Sequence, residues 1–78
     1  MQVEVKLFSR LQEYLPPEAR GTATVELPEG ATVSQLLASL GIDEHVKLLS
    51  VNSQRETDWQ RPLQAGDVVR VFPIVVGG

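Results

Sequence analysis

Residues Ala31 to Gly41 specify a single amphipathic helix together with both of its ends. Thr32 and Gln35 stand at the spacing of a capping box, in which each side chain satisfies a free backbone N–H of the first turn. Val33, Leu36, Leu37 and Leu40 recur at i, i+3, i+4 and i+7, which makes one apolar stripe. Gly41 falls at the C′ position, where a left-handed residue stops a helix. A helix this short and one-sided must lie on an apolar surface supplied by the rest of the chain.

That surface reads as strands. Val3, Val5 and Leu7 alternate with Gln2, Glu4 and Lys6, the period-two pattern of a half-buried strand, and Phe8 falls on its polar register. Ala23, Val25 and Leu27 define a second strand over residues 22–27, closed by a turn at Pro28, Glu29 and Gly30. A third strand covers 46–51 and ends at Asn52 and Ser53. A polar stretch, 54–62, reads as a loop with at most a short edge strand, and its Trp59 either plugs the core or stays partly exposed. Leu63 to Asp67 reads as a turn into a last strand, 68–72, in which Phe72 shares a face with Val68 and Arg70. Between the first two strands, Ser9 and Gln12 repeat the capping-box spacing. They predict a short helix from Arg10 that carries Leu11, Tyr14 and Leu15 on one face and stops at Pro16 and Pro17.

One principal helix against one mixed sheet is a two-layer α+β arrangement. With 78 residues it forms a single domain, residues 1–72, followed by an extended tail, 73–78. If the first and last strands run parallel and adjacent, Phe8 and Phe72 meet at one end of the sheet on its outward face. The competing reading places either ring in the core through a twist or bulge.

Composition removes several functions. The chain has no Cys, so it has no disulfide framework, thiolate zinc site or cysteine nucleophile. His45 is the only histidine and has no second imidazole to complete a metal site, so no metal is expected. Seven basic against ten acidic residues give a net charge of −3, which argues against a nucleic-acid partner. No apolar run approaches the ~20 residues of a membrane span, and the N-terminus alternates where a secretory signal would be apolar. A cytoplasmic protein is expected, with no membrane partner. Asp43, Glu44, Glu56, Asp58, Ser9, Ser34 and Ser50 form no catalytic constellation.

The tail carries the chemistry. Pro73 favours an extended start, and Gly77 and Gly78 lack side chains, so the backbone can enter a channel too narrow for a Cβ. At its tip stands the α-carboxylate of Gly78. Two final glycines arise by chance at on the order of 0.5 %, and a merely frayed end is more often polar than Ile74, Val75 and Val76.

The run Phe72, Pro73, Ile74, Val75, Val76, Gly77, Gly78, preceded by Leu63, Gln64, Ala65, Gly66 and Asp67, resembles the closing signature of the MoaD/ThiS family of ubiquitin-like sulfur carriers. Val5 to Phe8, Ala31 to Val33 with Leu36 and Leu37, and Val51 with Asn52 match the family's pattern elsewhere. The resemblance implies a β-grasp (ubiquitin-like) fold. The segment 9–17 between the first strands favours the branch of molybdopterin-synthase small subunits. Family tails commonly read Phe-Pro-Pro-Val-Ala-Gly-Gly, so Ile74 and Val76 are departures, as is Arg55 near a position that is often apolar.

The resemblance also implies a mechanism. A ubiquitin-activating-type enzyme uses ATP to adenylate Gly78, and a desulfurase or rhodanese-like donor supplies sulfur for a C-terminal thiocarboxylate. The tail (Val75, Val76, Gly77) then enters a large catalytic subunit of the molybdopterin-synthase type. This chain would bind no cofactor and would not be catalytic alone. Phe8, Phe72, Pro73 and Ile74 are expected to form the partner interface, with partners offering basic groups to a surrounding acidic surface. Alternatives are a thiamine-pathway sulfur carrier, a ubiquitin-like protein modifier whose glycine is passed to a lysine amine, and a β-grasp interaction module without chemistry.

Overall fold

The computed structural model describes residues 1–44 and 46–74; His45, Val75, Val76, Gly77 and Gly78 lie outside the described residues. Five strands, β1 (Gln2–Leu7), β2 (Thr22–Glu26), β3 (Val46–Val51), β4 (Gln54–Arg55) and β5 (Val68–Pro73), form one sheet in the order β2-β1-β5-β3-β4. β1 and β5 are parallel at its centre, and the remaining pairs are antiparallel. One α-helix, α1 (Val33–Ser39), contributes Val33, Leu36 and Leu37 to a core shared with Val3, Val5, Leu7, Leu49, Val51, Val69 and Val71. This is the expected β-grasp: a mixed sheet against one principal helix.

α1 forms as its sequence dictates. Thr32 Oγ1 accepts from the Gln35 backbone N–H at 3.2 Å, and Gln35 Oε1 accepts from the Thr32 N–H at 2.9 Å. Gly41 adopts φ +77°, closing the helix in the left-handed region. Leu40 is half-buried, so the stripe ends at the core's edge.

The same spacing at Ser9 and Gln12 does not make a cap. Residues Ser9–Tyr14 form a 3₁₀ helix whose N-cap is Phe8, with no side-chain cap hydrogen bond. Ser9 itself has φ +54°, far from the extended backbone of a capping residue. Leu11 is buried and Tyr14 and Leu15 half-buried, so the expected apolar face survives in a tighter helix. Pro16 and Pro17 end this helix, but Pro17 also starts a second 3₁₀ turn, Pro17–Ala19. That turn leads to Gly21, whose carbonyl accepts from the Leu7 N–H at 2.6 Å. A Cβ on Gly21 would stand 2.6 Å from the Leu7 carbonyl oxygen, and the residue has φ +78°, so only glycine fits.

β3 contains a conflict that the sheet resolves by a bulge. Strict alternation from Leu49 and Val51 would point Lys47 into the core. The register instead shifts between Leu48, opposite Phe72, and Val46, opposite Pro73. The extra residue, Lys47, is exposed, and Val46 returns to the buried face. The turn after β3 places Asn52 and Ser53 at φ +52° and +70°, the signs of a two-residue type I′ hairpin. Asn52 also reaches the turn before β5. Its Nδ2 donates to Asp67 Oδ1 at 2.9 Å, and its Oδ1 accepts from the Val68 N–H at 2.9 Å.

The polar stretch after β4 is ordered around one carboxylate. Glu56 accepts from the N–H groups of Thr57 at 3.1 Å and Asp58 at 3.0 Å, and from the Arg61 guanidinium at 2.8 Å. Its carboxyl is held below its ordinary value, first by the Asp58 N–H and then by Arg61. Trp59 is half-buried against the core rim. Among the described residues no helix is long and apolar enough to cross a membrane.

Candidate functional site

β5 runs one residue further than its sequence predicts. Pro73 pairs with Val46 and is buried, so the arm leaves the sheet at Ile74. Proline ends the ladder without an unsatisfied donor. Its burial corrects one expectation: Pro73 anchors the arm to its own domain and offers no exposed surface to a partner. Ile74 is half-buried. The expected reactive residue Gly78 and its approach, Val75, Val76 and Gly77, lie outside the described residues.

The aromatics meet where β1 and β5 end. Lys6 is in register with Arg70, and the next outward positions in that parallel pair are Phe8 and Phe72. Their rings stack with centroids 4.4 Å apart and an interplanar angle of 11°. Both are half-buried, and Leu48, opposite Phe72 on β3, is half-buried beside them. Neither ring enters the core. A row Phe8–Phe72–Leu48 thus lies across the open face of the sheet, at the end from which the arm departs. Alternation from the buried Leu49 and Val51 places Leu48 on this face, but the sequence reading assigned no faces within the third strand and so did not single it out.

One register step back, about 7 Å along the strands, lies a second row. Lys6 and Arg70 are partners, Arg70 pairs with Ser50, and Ser50 pairs with Arg55. Arg55 is exposed and Lys6 and Arg70 half-buried. The net charge is negative, yet this part of the face is basic. The sequence total does not report how pairing distributes charge over the two faces: this row is basic, while Glu4 lies one outward step beyond Lys6 and Glu44 stands beside Arg10.

Around the root of the arm a polar cluster gathers from three segments. Arg10 Nε donates to Glu44 Oε1 at 2.9 Å, and one terminal guanidinium nitrogen lies 2.8 Å from the same oxygen. The other terminal nitrogen donates to the Ile74 carbonyl at 2.8 Å. Tyr14 donates its hydroxyl to Glu44 Oε2 at 2.8 Å. That bond holds the phenol above its ordinary value of 10.0, with lesser help from desolvation and nearby carboxylates. Residues so distant in sequence leave no local signal of this contact. Among the described residues no group of three or more His, Asp or Glu is arranged to hold a metal ion.

A family model described as the ThiS family matches residues 5–78. Among solved structures, the chain is similar to a protein described as molybdopterin converting factor, subunit 1, from Pyrococcus furiosus. The identity is 30 % and the TM-score 0.75, covering 95 % of this chain and 98 % of that one. It is similar to the small archaeal modifier protein 1 of H. volcanii, with 26 % identity, a TM-score of 0.74 and coverage of 95 % and 98 %. A complex of subunits 1 and 2 of the molybdopterin-converting factor from Helicobacter pylori shares the fold, at 24 % identity, a TM-score of 0.66 and full coverage of both chains. A comparison with curated proteins returns no match.

Proposed function

This chain belongs to the ThiS family, and from that premise we propose that it carries sulfur on Gly78 for the synthesis of molybdopterin. The observation that carries this reading is the placement of the Phe8–Phe72 stack beside the root of the arm. A partner that docks on the rings receives the following residues in its own pocket.

The chemistry belongs to the main chain. A carboxylate is a poor acyl donor because oxide is a poor leaving group. A ubiquitin-activating-type enzyme joins the Gly78 carboxylate to AMP, releasing pyrophosphate from ATP. The terminal sulfur of a donor persulfide attacks the acyl carbon and expels AMP. Thiol reduction of the resulting acyl disulfide frees the thiocarboxylate. In a larger catalytic subunit that sulfur attacks carbon of the pterin precursor and displaces an oxygen substituent. Water then cleaves the acyl–sulfur bond, leaving sulfur on the pterin and a carboxylate on Gly78, and the subunit supplies the acid–base groups. Similarity to subunit 1 of molybdopterin converting factor, at 30 % identity over nearly the whole chain, supports this destination over a thiazole.

The docking partner presents an apolar pocket for Phe8, Phe72 and Leu48, rimmed by carboxylates for Lys6, Arg70 and Arg55. Such rim charges govern encounter rate and salt dependence more than affinity. A second reading has support in the likeness to small archaeal modifier protein 1: a lysine amine attacks the same adenylate and forms an isopeptide.

Intact mass spectrometry separates the two. Incubation with an activating enzyme, ATP and a persulfide donor replaces one oxygen of the carrier by sulfur, confined to the C-terminal peptide. Conjugates to other proteins without a sulfurated carrier would establish the modifier instead. Absence of ATP–pyrophosphate exchange would overturn both.

A further inference from the structure

We propose that Arg10 is the positioning residue of the C-terminal arm, gripping its root at the Ile74 carbonyl and anchoring that grip to the domain through Glu44. This rests on reading the residues after Ile74 as a substrate arm.

The ladder of β5 ends at Pro73, so the Ile74 carbonyl is the first that the sheet no longer holds. Arg10 takes it at 2.8 Å. The planar guanidinium suits this task because it donates in two directions at once. One terminal nitrogen faces the arm, while Nε and the other terminal nitrogen face Glu44 Oε1. Glu44 is itself fixed, since its second oxygen accepts from Tyr14 at 2.8 Å. Tyr14 stands on the same 3₁₀ helix as Arg10, so the helix after β1 supplies both the grip and its brace.

The lever arm explains why such a grip matters. The four residues past Ile74 span about 13 Å when extended. A swing of about 30° at the root would carry their far end through about 7 Å. An adenylating pocket needs the attacking carboxylate placed far more closely than that. The side chains of Arg10 and Glu44 are 49 % and 30 % exposed, so the grip is weak enough for a partner to adjust. It narrows the directions the arm samples without locking one.

The test compares the full-length wild type with Arg10→Ala and Arg10→Lys. In the free proteins, ¹⁵N relaxation reads the amides of Ile74 and Val75, and thermal unfolding reads the fold. With the activating enzyme, ATP–pyrophosphate exchange yields KM and kcat for the carrier. Arg10→Ala is expected to lower the order parameters at both amides and to raise KM about three- to fivefold at constant kcat. The thermal midpoint should move by about 2 °C or less. Lysine retains one of the two grips, so Arg10→Lys should fall between. Wild-type order parameters and KM in Arg10→Ala would overturn the proposal, as would a KM rise tracking a large loss of stability. If the wild type gives no exchange, the sulfur-carrier reading fails, and the relaxation comparison alone decides the grip.

Discussion

Phe8 and Phe72 stack at 4.4 Å on the open face of the sheet, one at the end of the first strand and the other near the end of the last. Neither ring closes the core, whose aliphatic members lie on the other face of the same strands. An aromatic pair of this kind adds about 0.5–1.5 kcal/mol beyond its area burial. Phe72→Ala should therefore lower stability by about 1 kcal/mol, read by denaturant unfolding. Activation should suffer far more, with kcat/KM for adenylation reduced at least about tenfold, since truncated hot-spot aromatics typically cost 2 kcal/mol or more. A stability loss of core size with docking intact would show that the ring serves the fold.

The arm yields an opposite pattern. Replacing Gly77 by a bulky residue such as Phe, or deleting Gly78, should abolish ATP–pyrophosphate exchange. Thermal unfolding should remain that of the wild type, because β5 and its buried anchor Pro73 are untouched. Retained exchange by Gly77→Phe would remove the narrow-channel argument.

Gly21 makes a test of the fold alone. A methyl group there meets the Leu7 carbonyl at 2.6 Å and the Gln12 side chain at 2.8 Å, on a backbone with φ +78°. Gly21→Ala should destabilise the domain by about 1–3 kcal/mol, measured by urea unfolding. Gly30 has φ +82° with nothing within 4 Å of an added Cβ, so Gly30→Ala bears only the backbone strain and should lose less.

Glu56 predicts an acid limb in the stability profile. Its carboxyl is held below the ordinary 4.5 by the Asp58 N–H and by Arg61. The folded state therefore favours the ionised form. That contribution is complete above the carboxyl's unfolded value and is lost as pH falls through the lower folded one. Glu56→Gln should be less stable than the wild type at neutral pH, and the difference should shrink toward pH 3, as followed by thermal midpoints across a pH series. A constant difference would assign the effect to shape instead of charge.

How much of this was legible depends on whether the deciding contact is local. The cap of α1 is local, and Thr32 with Gln35 announced it correctly. Ser9 and Gln12 have the same spacing and failed. There Phe8 takes the cap position and Ser9 is left-handed, next to a Leu7 whose N–H is bonded to Gly21, a contact no window around Ser9 contains. Alternation located the buried faces of β1 and β5, and the parallel pairing of those strands brought Phe8 to Phe72 as expected. It failed at Lys47, where a bulge keeps the charge out of the core and returns Val46 to the buried face. The basic row Lys6–Arg70–Arg55 and the meeting of Arg10 with Glu44 arise only from strand order and chain reversal.

The central position of β5 has a mechanical meaning. A partner that draws on the arm pulls along the axis of a strand bonded on one side to β1 and on the other to β3. The load is shared as shear across two ladders at once, so the bonds must give way together and not one by one from an edge. The domain can be tugged by its end, and released again, without coming undone.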